Sequence, residues 1–448
     1  MTIKALQQQL KNSQNGAEHY IQSRLEEIAQ YRRTGGKAYI SVNTERALNA
    51  AKSADYARNS GFVASDIAGL AVNIKDMFDV KDEVTAAGSK VLQNNAVATQ
   101  DAKAVQVLRH AGAVLVGRGN MSEFAFSGLG LNPYYGTPTY AENFQRIAGG
   151  STSGGAVSVA LKHCVAALGS DTGGSLRIPA AFCGIVGFKP SHGRISTVGA
   201  FPLSFSLDSI GAITQSVEDA MIMDGILAST KHPIQNLHAQ QLRLAYTDDY
   251  FLDQADDDVL KAWQDTLALL SKQGVYLEKI ELTELYQIPK INHAGGLTAA
   301  EAWFIHRDQL QNPSQAEQYD QRVAQRIVRG QSISAADFLN IQQQRTALIS
   351  HVSHKLTDFD ALLHPTVAIV PPKLSELNND DDFFRINGLV LRNTSVFNFL
   401  NGCALSLPCH HTSSLPVGLS VAGLHGQDTH ILNVSLAIES ILKQGENP

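Results

Sequence analysis

The chain has 448 residues, with 36 Lys and Arg against 42 Asp and Glu and a formal net charge of -6, which argues against a sequence-independent nucleic-acid binder with a basic footprint. Charged residues make up 17 % and hydrophobic residues 44 %, a balance that suits one large buried interior and argues against disorder. In chain order, residues 4–32 carry apolar side chains at helical spacing (Leu6, Leu10, then Tyr20, Ile21, Leu25, Ile28), broken at Asn15-Gly16. The first twenty residues lack the apolar core of a signal peptide and no apolar run approaches a membrane span, so a soluble cytoplasmic protein is expected. Residues 38–42 predict a strand, with Asn43 capping the alanine-rich helix behind it. Residues 70–78 predict another strand. A helix over 101–111, capped by Asp101, leads through Ala111-Gly112 into a strand over 113–116.

This alternation favours an α/β core around a largely buried sheet. From about 230 to 345 Gln and Asn become frequent, helical spacing dominates, and Trp263 and Trp303 both fall here. Strand-like runs return at 361–363, 367–370 and 415–421. They need a sheet to join, so the middle reads as a helical elaboration within one domain spanning 1–448, with no linker or repeat to divide it. The Asn-Asn-Asp-Asp-Asp cluster at 378–382 reads as an acidic surface loop. Cys164, Cys183, Cys403 and Cys409 show no CxxC spacing and no metal-ligand pattern with the histidines, and read as buried thiols in a reducing compartment.

Two glycine- and serine-rich segments carry the chemistry: Gly149-Gly150-Ser151-Thr152-Ser153-Gly154-Gly155 and Gly169-Ser170-Asp171-Thr172-Gly173-Gly174-Ser175. Residues 156–168 between them are apolar enough to pack as a buried helix and strand. Neither segment ends in the Gly-Lys-Ser/Thr of a P-loop, and no serine sits in a GxSxG elbow. Glycines before a serine let backbone N–H groups converge on one point, as an oxyanion hole requires. Ser175 is thus a candidate nucleophile, and a hydroxyl needs a base. His163 and His192 have no acidic partner at obvious spacing, and His163 reads as structural. Lys75, inside an apolar run, is the other candidate. Burial that moved its pKa to near 7 would take roughly 4–5 kcal/mol and would leave a neutral amine able to accept a proton.

Together these segments resemble the amidase signature family of Ser–Ser–Lys hydrolases. The likeness runs through most of residues 66–220, in AGLAVNIKDMFDV, TAAGSKVL, DAKAVQVLRHAGAVLVGRGNMSEFAF, NPYYGTP, RIAGGSTSGGA, LGSDTGGSLRIPAAFCGIVGFKPSHGRIS and SLDSIGAITQSVEDA. Weaker similarity continues through EAWFIHRDQL and YDQRVAQRIVRGQSISAADFLNIQQQR to LPVGLSVAGLHG. The resemblance implies an α/β amidase signature fold, a large mixed β-sheet covered on both faces by α-helices. It implies Lys75 as base, Ser151 as a relay serine after a cis peptide bond, and Ser175, 24 residues further on, as acyl nucleophile. Backbone N–H groups of Thr172, Gly173, Gly174 and Ser175 would form the oxyanion hole, and no metal or organic cofactor is implied. Asp171 and Arg177 are expected to pair and hold this loop. Met121, Phe124, Phe126 and Tyr135 are candidates to line the acyl pocket, whereas His306, His410, His411 and His425 form no catalytic constellation.

The activity implied is hydrolysis of a small carboxylic amide to acid and ammonia or amine, on a small-molecule substrate, with no nucleic acid and no membrane involved. A homodimer is expected from the frequency of symmetric oligomers. Two other readings stay open: the amidase subunit of a tRNA-dependent amidotransferase, and a non-catalytic binding protein that keeps the fold. Ser413-Ser414-Leu415-Pro416-Val417-Gly418 lacks the aspartate that precedes the leucine in the family's DGLPVG segment. That leans toward a free-standing enzyme, and the helical section is more similar to small-amide hydrolases such as indoleacetamide, carboxybiuret or mandelamide hydrolases.

Overall fold

The computed structural model describes residues 2–13, 15–140, 143–410 and 414–445; His411 and Ser413 lie outside them. The described strands are β1 (Tyr39–Ser41), β2 (Ala71–Lys75), β3 (Val114–Gly119), β4 (Thr139–Tyr140), β5 (Asn143–Ile147), β6 (Ala166–Asp171), β7 (Val186–Lys189), β8 (Ser209–Thr214), β9 (Arg243–Tyr246), β10 (Tyr276–Lys279), β11 (Ala361–Pro365), β12 (Cys403–Pro408) and β13 (Gly418–Gly423). Eleven join one mixed sheet in the order β1-β3-β2-β6-β8-β7-β12-β13-β11-β9-β10, while β4 and β5 pair separately. β2 runs parallel to both neighbours, β3 and β6, whereas β8, β7, β12 and β13 are joined antiparallel.

β2, β6 and β8 are buried at every position, as continuous apolar runs covered on both faces must be. Alternation on the later strands divides the interior. Cys403, Leu405 and Leu407 of β12 pack with Trp263, Leu270, Ile431 and Ile438. Ala404 between them faces Leu348, Val352, Phe397 and Phe399. Helices Asp257–Lys272 and Asp428–Gly445 thus lie on one face, and Ala335–Leu356 and Asp380–Phe399 on the other.

The N-terminal pattern resolves into helices Ile3–Lys11 and Gly16–Arg33, and Asn43 caps helix Thr44–Asn59 by accepting from the Arg46 N–H at 3.1 Å. Four expectations are corrected. Asp101 does not cap; helix Lys103–His110 begins after it, and its carboxylate instead accepts from the Lys81 N–H at 2.8 Å and pairs with Arg109. Residues 367–370 form no strand, because their backbone turns to Asp256, which donates to the Ala368 carbonyl and accepts from Val370. The acidic cluster at 378–382 is a helix start: Asn379 accepts from the Asp382 N–H at 2.8 Å, and Asp380, Asp381 and Asp382 fill the first turn, where the helix dipole favours anions. The 230–345 segment supplies β9 and β10 as well as helices. β10 forms one edge of the sheet and carries Glu278 and Lys279, and β1, only three residues long, forms the other. No helix among the described residues is long and apolar enough to cross a membrane.

Helix Ser153–Ala160 fits between the strands only because Gly154 has no side chain. A Cβ there would lie 2.1 Å from the Ala38 carbonyl oxygen and 2.5 Å from the Asn120 nitrogen. Gly388, on helix Asp380–Phe399, faces open space. Gly154→Ala is therefore expected to destabilise by about 3 kcal/mol and Gly388→Ala to stabilise by about 0.5–1 kcal/mol, read as opposite shifts of the urea unfolding midpoint.

Candidate active site

The pairing of β2 with β6 builds the site. Both strands run the same way with Ile74 opposite Leu168, so Lys75 ends one strand beside Ser170 and Asp171, which end the other. In α/β sheets functional groups gather at such carboxyl ends. Lys75 is fully buried, and its Nζ lies 2.7 Å from Ser151 Oγ and 2.9 Å from Ser170 Oγ. The Ser170 hydroxyl donates to Met77 Sδ at 2.9 Å, so its oxygen is left to accept from the lysine. Burial pushes the Lys75 ammonium down to about 7, against the smaller opposing pull of Asp171 and Asp208. Near neutral pH the amine therefore exists in both protonation states. Ser151 follows a cis Gly150–Ser151 peptide and precedes helix Ser153–Ala160.

The loop after β6 is organised from beneath by Asp171. Its carboxylate accepts from the Gly174 N–H at 2.8 Å and the Leu176 N–H at 3.2 Å, and from Arg177 Nε at 3.0 Å and Nη2 at 2.9 Å. Asn398 Nδ2 adds a further bond at 2.9 Å. Burial alone would raise the carboxyl, but the Arg177 guanidinium together with Lys189 and Asn398 outweighs it and holds Asp171 at about 2. Asp171 and Arg177 thus form the expected pair, and both are fully buried.

One expectation for this loop changes. The Gly174 N–H is committed to Asp171, whereas the N–H groups of Thr172, Gly173 and Ser175 make no hydrogen bond among the described residues. Thr172 is held from the other side, its hydroxyl donating to Asp208 at 2.5 Å. The Thr152 N–H donates to the Ser175 carbonyl at 3.3 Å and ties the two serine loops together. The structure joins Lys75 to Ser151; it makes no hydrogen bond between the Ser151 and Ser175 hydroxyls.

Ser175, Thr172 and Gly173 line a cavity of about 280 Å³. Of the aromatic and Met candidates only Phe126 reaches its wall. Met121 is buried, with its carbonyl held by Asn132. Phe124 is packed against Phe201, His306 and Tyr319, and Tyr135 lines a separate cleft with Asp76 and Arg118. Leu203 and Leu207 form another part of the cavity wall, as do Leu391, Ser395 and Phe399 of helix Asp380–Phe399. The rest comes from Ala125 and Ser127 beside Phe126 and from Ile288, Asn292, Gly295, Thr298, Ala299, Arg326 and Arg329.

Several of these residues escape sequence reasoning. Ser170 could have been found, since its hydroxyl sits in the glycine-rich segment next to a strand-ending aspartate. Asp208, Asn398 and Arg326 approach from segments distant in sequence, and nothing local marks them. Among the histidines, His163 packs against Tyr31 and Tyr39, with burial pushing it down to about 4. His306 is buried with Nδ1 3.0 Å from the Tyr319 hydroxyl, also pushed down by burial to about 4.

The Amidase family profile matches residues 20–432. The chain is 30 % identical over 414 residues to 2-amino-5-chloromuconic acid deaminase of Comamonas testosteroni, covering 91 % of this chain and 89 % of that one. It is 31 % identical over 441 residues to a glutamyl-tRNA(Gln) amidotransferase subunit of Koribacter versatilis, covering 90 % and 91 %. A crystal structure of an amidase superposes with a TM-score of 0.87 at 30 % identity, covering 98 % of this chain and 99 % of the other. With this fold and these relatives, the chain belongs to the amidase family. It is a hydrolase of carbon–nitrogen bonds.

The buried Asp171–Arg177 pair yields a stability prediction. Arg177→Ala strands a desolvated carboxylate, and the expected loss is about 3–5 kcal/mol, measured as a fall in the urea unfolding midpoint.

Proposed function

We propose that the protein hydrolyses the C–N bond of a small carboxylic amide through an acyl-enzyme on Ser175, with Lys75 as general base and Ser151 as the relay between them. The observation that carries this reading is a fully buried lysine, lowered to about 7, bonded to Ser151 and Ser170 beside a loop whose Ser175 lines a cavity. Ser170 fixes the amine: Lys75 donates one N–H to it, which leaves the lone pair of the neutral form for the Ser151 hydroxyl proton. As Ser175 Oγ attacks the carbonyl carbon, its proton passes to Ser151 Oγ while the Ser151 proton passes to Lys75. The oxyanion is taken by the N–H groups of Thr172, Gly173 and Ser175. Lys75 then returns a proton through Ser151 to the leaving nitrogen, the C–N bond breaks, and water cleaves the ester by the same relay. The missing hydrogen bond between the two hydroxyls forms, in this reading, when substrate occupies the cavity, since catalytic contacts tighten on binding.

The whole chain acts as one amidase domain in this reading, supported by β9 and β10, which extend the same sheet from the middle segment. The similarity to an amidotransferase component supports a second reading, in which the same chemistry releases ammonia from glutamine within an assembly. A panel of aliphatic and aryl amides separates the two. Ammonia release by the purified chain that disappears in Ser175→Ala supports the free-standing enzyme; glutaminase activity only with added partner proteins supports the second. No amide turnover and no labelling of Ser175 by a fluorophosphonate would defeat both.

The pH dependence follows from Lys75. The neutral amine is the base, so kcat/KM should rise tenfold per pH unit below about 7 and level off above it. Lys75→Ala should abolish this limb together with turnover, by about 10³-fold or more. Wild-type activity in that variant at pH 7 would remove Lys75 from the mechanism.

A further inference from the structure

The proposed reading leaves the substrate undefined, and the cavity wall carries one feature that the hydrolysis itself does not use. Arg326 and Arg329 both line the cavity that Ser175 faces, and none of its lining residues is acidic. The chain as a whole carries a net charge of -6, so this is a local reversal of sign.

Other arginines with little exposure are partnered. Arg118 meets Asp76, Arg177 meets Asp171, and Arg194 meets Asp224. Arg345 bonds the Phe399 and Asn398 carbonyls as well as Asn401. Arg326 is half-buried and has a single hydrogen bond, from Nη1 to the Phe126 carbonyl, while its guanidinium lies 4.3 Å from the centre of the Phe126 ring. Among the described residues neither Arg326 nor Arg329 is paired with a carboxylate: their partners are the Phe126 carbonyl and the Phe126 and Phe384 rings. Arg329 sits beside it on the exposed side over Phe384, adding a second like charge. The following residue, Gly330, packs so tightly on helix Gly296–Gln311 that a Cβ would lie 2.0 Å from the Ala299 carbonyl oxygen, which fixes this turn against the cavity wall.

Two adjacent cations held without counter-ions on an otherwise largely apolar wall form a site that an anion completes. Two acids close in sequence to the wall residues Leu207 and Ala299 are already occupied. Asp208 accepts from Thr172, Leu203 and Ser204, and Glu301 accepts from Ser204 and Ser206. The cavity wall therefore offers no carboxylate to pair an ammonium group. We propose that the amide substrate carries a second, carboxylate group, that Arg326 binds this carboxylate with Arg329 assisting, and that the preferred class is the monoamide of a dicarboxylic acid. A zwitterionic amino-acid amide would leave its ammonium unpaired.

This inference rests on the amidase reading for its place in turnover, but its binding part can be tested separately. Ammonia release is measured from succinamic, glutaramic and adipamic acids and from the uncharged amides of matched chain length. For the best length, the acid should exceed its uncharged partner in kcat/KM by about 10–100-fold. Arg326→Gln should remove most of that advantage by raising KM for the acid about tenfold more than KM for the uncharged amide, and Arg326→Lys should restore part of it. In parallel, calorimetry on Ser175→Ala compares the dicarboxylates with the corresponding neutral diamides, with and without Arg326→Gln.

Dicarboxylate binding lost in Arg326→Gln, with no amide turned over by the wild type, would sink the amidase reading and leave the anion site standing. Uncharged amides turned over as well as the acids, or dicarboxylates bound no better than diamides, would overturn the anion site while hydrolysis stands. If Arg326→Gln fails to fold, the wild-type comparison of acid with uncharged amide still decides.

Discussion

The site depends on keeping one amine out of water. Lysine side chains normally reach solvent, but Lys75 ends a central strand that is covered on both sides and cannot. Desolvation destabilises its charged form, which in the proposed mechanism makes a base of a group that would otherwise be a spectator cation. The fold meets this cost with two hydroxyls and no carboxylate in direct contact. A carboxylate paired with Nζ would restore the positive charge and remove the base. Asp171 and Asp208 pull in that direction from a distance, and Asp171 is diverted by Arg177 and Asn398.

That diversion also shapes the loop that holds Ser175. Asp171 gathers Gly174, Leu176 and Arg177 around one carboxylate and leaves three neighbouring N–H groups without partners. Unbonded backbone donors at a cavity wall are costly in an ordinary loop and useful where negative charge develops during a reaction. The same residue thus holds the turn and, in the proposed mechanism, decides which donors are left for the oxyanion. Thr394, whose hydroxyl bonds the Gly173 carbonyl at 2.6 Å, holds the turn from helix Asp380–Phe399.

Much of the framework was legible in the sequence because it is written locally. The apolar runs of β2 and β6 and the Asn43 cap each depend on a few adjacent residues, and so do the paired glycine-rich segments. Errors arose where a polar side chain was claimed by something distant. Asp101 is taken by Lys81 and Arg109, and the backbone near 370 by Asp256. The Gly174 N–H went to a carboxylate three residues back, a choice of turn geometry that the spacing does not encode. Pocket composition was hardest to read. Phe124 and Phe126 are two residues apart, yet one is packed among aromatic rings and the other faces the cavity. The direction of each is set by residues far along the chain, Phe201, His306 and Tyr319 for one and Arg326 for the other, and no periodicity carries that information.

The two margins of the sheet are blunted in different ways. β1 is too short to template another chain, and β10 ends in Glu278 and Lys279, with Glu278 bridged to Arg243 on the adjacent strand at 3.2 Å. Charged or truncated rims discourage strand-to-strand addition. An eleven-stranded array of this width is thereby closed to lateral growth, and copies of the molecule at high concentration would have to meet through helical surfaces instead of by extending a shared ladder.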